Sequence, residues 1–318
     1  MAGPQDGEDG EFGEIARLFR PLTGGAAGAF DLLDDAAVVP QRVGFDLVVT
    51  KDAIVGGVHF PLDEAPDLIA RKLVRTNLSD LAAKAGEPFG CFLAIAWPAG
   101  FSKIDREAFA RGLGDDLAHY GVALLGGDTV STPGPLTASL TAMGWVPQGR
   151  MVRRAGARPG DVVAVSGTIG DGTLGLAAVK GEIADPDGGL AARYRLPTPR
   201  LDLRGALLAA ANSALDVSDG LIADATHIAR ASSVAMALDL DRLPLSPAAG
   251  KWLDAQDHRK AALIRLATGG DDYEILATFS GSAPEGFTVI GAVSSGAGVT
   301  VSVGGAAVEV AQAGWTHL

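Results

Sequence analysis

A single cysteine, five histidines and no cluster of basic residues long enough to track a polyanion leave little room for several common chemistries. Cys91 alone excludes an internal disulfide and any zinc or iron–sulfur site built on cysteines, and its place in the apolar run 90–97 marks it as a buried thiol. His59, His119, His227, His258 and His317 lack the paired spacing of a zinc site, and no Gly-x-Ser-x-Gly elbow supports a Ser-His-Asp hydrolase. The net charge of −12 argues against nucleic acid or an anionic membrane surface as partner. No apolar stretch approaches the roughly 18 residues needed to span a bilayer. The first residues carry neither a basic nor an apolar segment of a signal peptide, so a cytoplasmic protein is expected.

What is present is enough for two cores: 318 residues, 47% of them hydrophobic. Residues 1–10, polar and glycine-rich, are expected to be disordered, followed by an N-terminal α/β domain over 11–150 and a C-terminal α+β domain over 151–318. The junction falls where Pro147, Gly149, Gly156, Pro159 and Gly160 interrupt regular structure among Arg150, Arg153, Arg154 and Arg158. A first helix near Gly10 would bury Phe12, Ile15, Ala16 and Phe19. Another beginning at Pro66 would bury Ala70, Val74, Leu78, Leu81 and Ala85, with Asn77, Asp80 and Lys84 on a different face. Ser102 and Asp105 form a capping-box pattern for a third, which ends at Gly121. Strands are expected over 46–50, 91–97, 122–125, 136–143 and 162–165, and near 234–240, 273–279 and 287–293.

The chemistry lies in aspartates set in turn-like or strand-end frames: Asp34-Asp35, Asp52, Asp80, Asp128 after Gly126-Gly127, and Asp216-Val-Ser-Asp219-Gly220. Carboxylates converging in this number would raise one another's pKa unless divalent cations held them, and Mg²⁺ with a polyphosphate is the leading expectation. Taken singly, each reads first as a turn or capping residue, and it is their joint occurrence that points to metal. Asp216 and Ser218 share one face of a strand end, while Asp219 leads into a helix at Leu221 whose free N–H groups suit a phosphate. The turn Ser166-Gly-Thr-Ile-Gly-Asp-Gly172 offers backbone amides to an anion but matches neither the Walker loop nor the dinucleotide fingerprint.

Together these blocks resemble the thiamine-monophosphate kinase family, in the superfamily that includes aminoimidazole ribonucleotide synthetase and selenophosphate synthetase. The matching motifs run from Gly-Glu-Phe-Gly-Glu-Ile-Ala at 10–16 to Gly-Trp-Thr-His at 314–317. Between them come Asp34-Asp35-Ala-Ala, Asp52 to His59, Asn77-Leu-Ser-Asp80, Gly126-Gly127-Asp128, the glycine-rich turn, Asp216-Val-Ser-Asp219-Gly220 and Gly269-Gly-Asp271-Asp-Tyr-Glu274. The resemblance implies ATP-dependent phosphorylation of thiamine monophosphate to thiamine diphosphate, by direct in-line transfer with several Mg²⁺ ions. It implies metal ligands at Asp34, Asp52, Asp80, Asp128, Asp216 and Asp219, with Asp35 an extra one, and gives Asp128 and Asp219 the catalytic part. Nucleotide contacts would come from Gly127, Asp128, Arg154 and Ser218, and thiamine contacts from His59, Asp271 and Trp315. The implied fold is the two-domain aminoimidazole ribonucleotide synthetase-like one, whose N-terminal domain forms a barrel with its twin across a homodimer.

Three positions depart from the family's usual pattern. Leu33 precedes Asp34-Asp35 where glycine is common, Lys51 stands in Thr50-Lys51-Asp52, and Asp271 replaces a glutamate. An ammonium cannot ligate a cation, so a metal ligand there would be the Lys51 carbonyl or Thr50. The alternatives are another ATP-dependent synthetase or phosphotransferase of the superfamily, and a nonenzymatic protein that binds phosphate ligands through metal. The chain lacks the reactive N-terminal cysteine of selenophosphate synthetases and the C-terminal cysteine of hydrogenase-maturation relatives.

Overall fold

The structure, a computed structural model, describes residues 10–315; the expected disorder of 1–9 and the motif's last residues, Thr316 and His317, lie outside them. The chain divides into two compact units. The first comprises residues 1–81 and 87–149; the second takes 150–318 together with 82–86.

The first unit opens with α1 (Glu11–Glu14), continued by one π-helical turn at Ile15–Phe19 and two 3-10 turns, Arg20–Thr23 and Ala27–Leu32. The wider π turn shifts the phase of the expected stripe, so Phe19 is buried while Phe12 is 75% exposed. Four strands follow, β1 (Phe45–Val55), β2 (Glu87–Pro98), β3 (Ala123–Thr132) and β4 (Thr137–Pro147), with α2 (Pro66–Ala83) and α3 (Lys103–Tyr120) between the first three. Their sheet order is β1-β4-β2-β3, with only β2 and β3 parallel. The strands outrun the apolar segments that announce them. Asp52 and Asp128 therefore stand within β1 and β3, Asp80 within α2, and none of the three in a turn.

On α2, Ile69, Ala70, Leu73, Val74, Leu78 and Leu81 are at most 3% exposed, the stripe that the spacing predicts. Ala85 is buried too, past the helix end with a φ of 57°. The capping box of Ser102 and Asp105 forms on α3, and Gly121 closes that helix in the left-handed region. Trp97 of β2 meets Phe109 of α3 edge-to-face at 5.4 Å. Asp116, 1% exposed on the apolar face of α3, receives Arg71 Nε at 3.0 Å and Arg75 Nε at 2.5 Å from α2.

The second unit is built on a seven-stranded sheet in the order β11-β10-β7-β9-β5-β8-β6. In chain order it runs β5 (Asp161–Ser166), α4 (Asp171–Val179), α5 (Gly189–Arg195), α6 (Arg204–Ala210), β6 (Ala211–Asp216), α7 (Leu221–Ser232), β7 (Ala235–Asp239), α8 (Pro247–Asp254), α9 (Arg259–Thr268), β8 (Ile275–Ser280), β9 (Phe287–Ser294), β10 (Gly298–Val303) and β11 (Ala306–Val308). One core joins Val163, Leu215, Leu276 and Ile290 of the sheet to Leu221, Ala225 and Ile228 of α7 and Leu263 of α9. A second joins Ala82, Ala83 and Ala85 to Ala164, Ala277 and Phe279, which explains why 82–86 belong to this unit. Lys84, expected on the face of Asn77 and Asp80, instead donates to the Ala214 carbonyl at 2.6 Å.

Removing the Asp116 carboxylate leaves two partly buried guanidinium groups uncompensated. Asp116→Ala is expected to cost about 3–5 kcal/mol of unfolding free energy in urea titration. A loss under about 1 kcal/mol would show that the clamp is dispensable.

Candidate active site

Period-two alternation decides what β1 offers. Val48, Thr50, Asp52 and Ile54 point to α2, while Leu47, Val49 and Lys51 are exposed on the opposite face. Thr50 Oγ1 donates to Asp80 Oδ2 at 2.5 Å, and the Asp52 amide donates to Asn77 Oδ1 at 3.0 Å. Two oxygen-bearing residues of α2 are thus registered against two of β1. Lys51 reaches across the outer face to Thr141 Oγ1 at 3.4 Å.

The sheet register separates the aspartates that the sequence reading brings together. Asp52 shares a row with Leu140, Leu93 and Gly127, whereas Asp128 shares the next row with Ala53, Ser139 and Ala94. Adjacent rows face opposite sides, so Asp52 and Asp128 project from opposite faces of the sheet. Gly127 owes its identity to the neighbouring strand, since a Cβ there would overlap the Leu93 carbonyl. Asp128 and Gly127 line a cavity of about 510 Å³ together with Asp34, Asp35, Phe12, Phe92 and Leu125. Asp34 and Asp35 are exposed there, in a loop entered through three successive left-handed residues (Phe30, Asp31 and Leu32) and closed by the Val38 amide on the Gly28 carbonyl at 2.8 Å.

His59 lies in the loop after β1. Its Nδ1 accepts the Val55 amide at 3.1 Å, while buried Lys72 donates to its carbonyl at 3.2 Å. A backbone N–H can only donate, so Nδ1 carries no proton and the ring offers an Nε2–H donor.

In the second unit, β6 ends at Asp216 and α7 begins at Leu221, as the sequence implies. The amides just before that helix are already occupied. Ser218, Asp219 and Gly220 donate to Asp224 Oδ2 at 3.1, 3.2 and 3.2 Å. Asp224 therefore does the capping, and Asp219 is released from that role. Burial pushes the Asp224 carboxyl up to about 7, helped by the charge of Asp219 and opposed by the three amides. Among the described residues, Asp219, Asp224 and His227 are the one group of His, Cys, Asp or Glu whose ligand atoms lie within 4.8 Å of one another.

Two further segments are laced to this loop. Asp271 donates its amide to the Ser218 carbonyl at 2.9 Å, Tyr273 to Val217 at 2.8 Å, and Trp315 to Asp219 at 2.9 Å. Ser218, Asp219, Asp271 and Trp315 thus sit on three adjacent stretches of backbone, with the Trp315 side chain 57% exposed. Arg154 is placed differently. Its carbonyl accepts Ser232 Oγ at 3.3 Å, at the far end of α7 from Ser218. The glycine-rich turn also holds an internal carboxyl: Gly170 and Gly172 donate to Asp272. Asp224 and Asp272 escaped the sequence reading because a helical Asp and the second of two adjacent aspartates read as surface residues. The usable signal was Asp224 itself, set among Leu221, Ala225 and Ile228.

Residues 33–146 match the family model described as AIR synthase related protein, N-terminal domain, and residues 158–312 match its C-terminal domain counterpart. The thiamine-monophosphate kinase of Caulobacter vibrioides is 53% identical over 99% of this chain and 93% of its own length. The chain belongs to the thiamine-monophosphate kinase family. Solved members of that family superpose on it. The Stenotrophomonas maltophilia K279a kinase gives a TM-score of 0.77 at 38% identity, covering 87% of this chain and 91% of that one. AaThiL complexed with AMPPCP and TMP gives 0.79 at 30% identity, covering 92% and 98%. The two-domain aminoimidazole ribonucleotide synthetase-like fold expected for a thiamine-monophosphate kinase is thereby borne out. Among the described residues no helix is long and apolar enough to cross a membrane.

The tautomer of His59 can be read directly. Long-range ¹H–¹⁵N spectra at neutral pH are expected to show Nδ1 unprotonated and Nε2 protonated, and a proton on Nδ1 would contradict the Val55 bond.

Proposed function

We propose that the protein transfers the γ-phosphoryl group of ATP to thiamine monophosphate, forming thiamine diphosphate and ADP in the cytoplasm. The observation that carries this reading is the 53% identity, over nearly the whole chain, to a thiamine-monophosphate kinase. The family neighbour complexed with AMPPCP and TMP supports an ATP-like donor and this acceptor. An oxygen of the acceptor phosphate forms the new bond to the γ-phosphorus as the bond from that phosphorus to the bridging oxygen breaks, and ADP leaves. The acceptor monoester has a second pKa near 6, so it is already nucleophilic at neutral pH without a general base.

What the chain must supply is therefore position and charge compensation. A protein of net charge −12 cannot attract two phosphates unaided. The all-oxygen donor sets fit Mg²⁺, which prefers carboxylate and water ligands and would offset the charge on the transferring group. Asp34, Asp35 and Asp128 would hold it at the first unit's cavity, Asp52 and Asp80 with Thr50 or the Lys51 carbonyl on the face toward α2, and Asp216 and Asp219 in the second unit. The nucleotide would meet Gly127, Asp128, Arg154 and Ser218. The Nε2–H of His59, the Asp271 carboxylate and the Trp315 ring would contact thiamine, whose cationic thiazolium suits the last two.

A homodimer completes the reading. Leu47, Val49 and Val130 are 42%, 53% and 52% exposed on the outer face of the first sheet, where a second copy would close a barrel. Sedimentation is expected to show a dimer that Val49→Asp converts to monomer; an unchanged dimer would place the interface elsewhere.

The function is tested by incubating pure protein with ATP, Mg²⁺ and thiamine monophosphate and following thiamine diphosphate. Absence of product across varied metal and salt would overturn the assignment. Asp219→Asn is expected to lower kcat by about 100-fold, roughly 2.7 kcal/mol of barrier, with the fold retained. Turnover close to wild type would reduce Asp219 to a structural residue.

A further inference from the structure

The Gly269-to-Glu274 segment holds an unusual conformation. Asp271 and Tyr273 have φ values of 67° and 51°, in the left-handed region that side chains with a Cβ avoid. Between and after them, Asp272 and Glu274 are fully buried. Such backbone persists only where its surroundings over-determine it, and it concentrates at functional sites.

The determinants are visible. Asp272 Oδ1 accepts Gly170 N at 3.0 Å and Gly172 N at 2.9 Å, and its Oδ2 accepts Gly170 N at 2.9 Å. The glycine-rich turn is pressed onto the same segment, because a Cβ on Gly172 would overlap the Asp271 carbonyl. Glu274 accepts Ser166 Oγ at 2.7 Å and Arg200 Nε at 2.6 Å, while Arg193 Nη2 donates to the Asp272 carbonyl at 2.7 Å. On the other side, the Val217 amide donates to the Glu274 carbonyl at 2.7 Å. Alternate residues are locked inward, and the intervening Asp271 and Tyr273 remain half-buried beside Ser218.

We propose that Asp272 is a positioning residue for the phosphate acceptor: by filling the amide nest of the glycine-rich turn, its carboxyl fixes the left-handed corner that presents Asp271 and Tyr273. The nest read from the sequence as a seat for a ligand anion is occupied by the protein's own side chain. Binding of thiamine monophosphate at this corner then depends on a residue the substrate does not touch. The proposal rests on the kinase reading above, with Asp271 as a substrate contact.

Two measurements test it. In hydrogen exchange of the wild-type protein, the amides of Gly170 and Gly172 are expected to be protected, although neither position at the start of α4 has a helical carbonyl partner. Asp272→Ala is expected to remove that protection and, with it, that of the Asp271 and Tyr273 amides. Unprotected Gly170 and Gly172 in the wild type, or Asp271 and Tyr273 still protected in a folded variant, would overturn the proposal. In kinetics, Asp272→Ala is expected to raise KM for thiamine monophosphate about tenfold, leaving KM for ATP and kcat within about threefold. Asp272→Asn, which keeps one acceptor for both amides, is expected to restore most of the affinity. A folded Asp272→Ala with wild-type KM, or equal losses for both substrates, would refute the positioning role. Should the alanine variant not fold, the wild-type exchange and the asparagine variant decide: Asp272→Asn must keep Gly170 and Gly172 protected and KM near wild type. A wild-type protein without kinase turnover would instead defeat the functional reading, and the exchange data would still judge Asp272.

Discussion

Backbone amides at the ends of strands and the starts of helices must find acceptors, and in the second unit two buried carboxyls supply them. Asp224 gathers the amides of Ser218, Asp219 and Gly220; Asp272 gathers those of Gly170 and Gly172. Both carboxyls bear the cost of desolvation, which pushes Asp272 up to about 8 against the pull of its amides and of Arg193. The return is a set of loops with fixed shape. The amides of Ser218, Asp219, Gly220, Gly170 and Gly172 are thereby satisfied within the protein itself.

The first unit solves a different problem. A β-strand presents alternate residues to opposite faces, so β1 can pair Thr50 and Asp52 with α2 while keeping Leu47, Val49 and Lys51 on the other side. The same pleat sends Asp128 away from Asp52. Oxygen donors are therefore divided into groups, as suits a reaction in which donor and acceptor phosphates each need their own charge compensation. Rigidity comes from α2, held to α3 by the Arg71, Arg75 and Asp116 clamp.

The elements with strong local signals were legible. The capping box of Ser102 and Asp105, the stripe on α2 and the passage from Asp216 to a helix at Leu221 all formed where spacing placed them. Hydrogen bonding to neighbours overrode local pattern elsewhere. β1 and β3 continue through Lys51-Asp52 and Gly126-Gly127-Asp128 because adjacent strands pair with them, something apolar alternation cannot reveal. The early helix lost its phase to a π turn. Aspartates that resemble one another in sequence took unrelated roles: Asp219 remained half-exposed, while Asp224 and Asp272 disappeared into the backbone's accounts. Charge and length signal an acidic residue, but only the surrounding amides tell a ligand from a cap.

Cys91 sits at the centre of the first sheet, fully buried, its thiol pushed up to about 12 by burial. A sulfur that neither ionises nor meets solvent is a poor target for oxidants and alkylating reagents. Since it is the chain's only cysteine, modification at this thiol records an opening of β2. The thiol is thereby shielded from the redox state of its surroundings, and the core carries a chemical clock for its own unfolding.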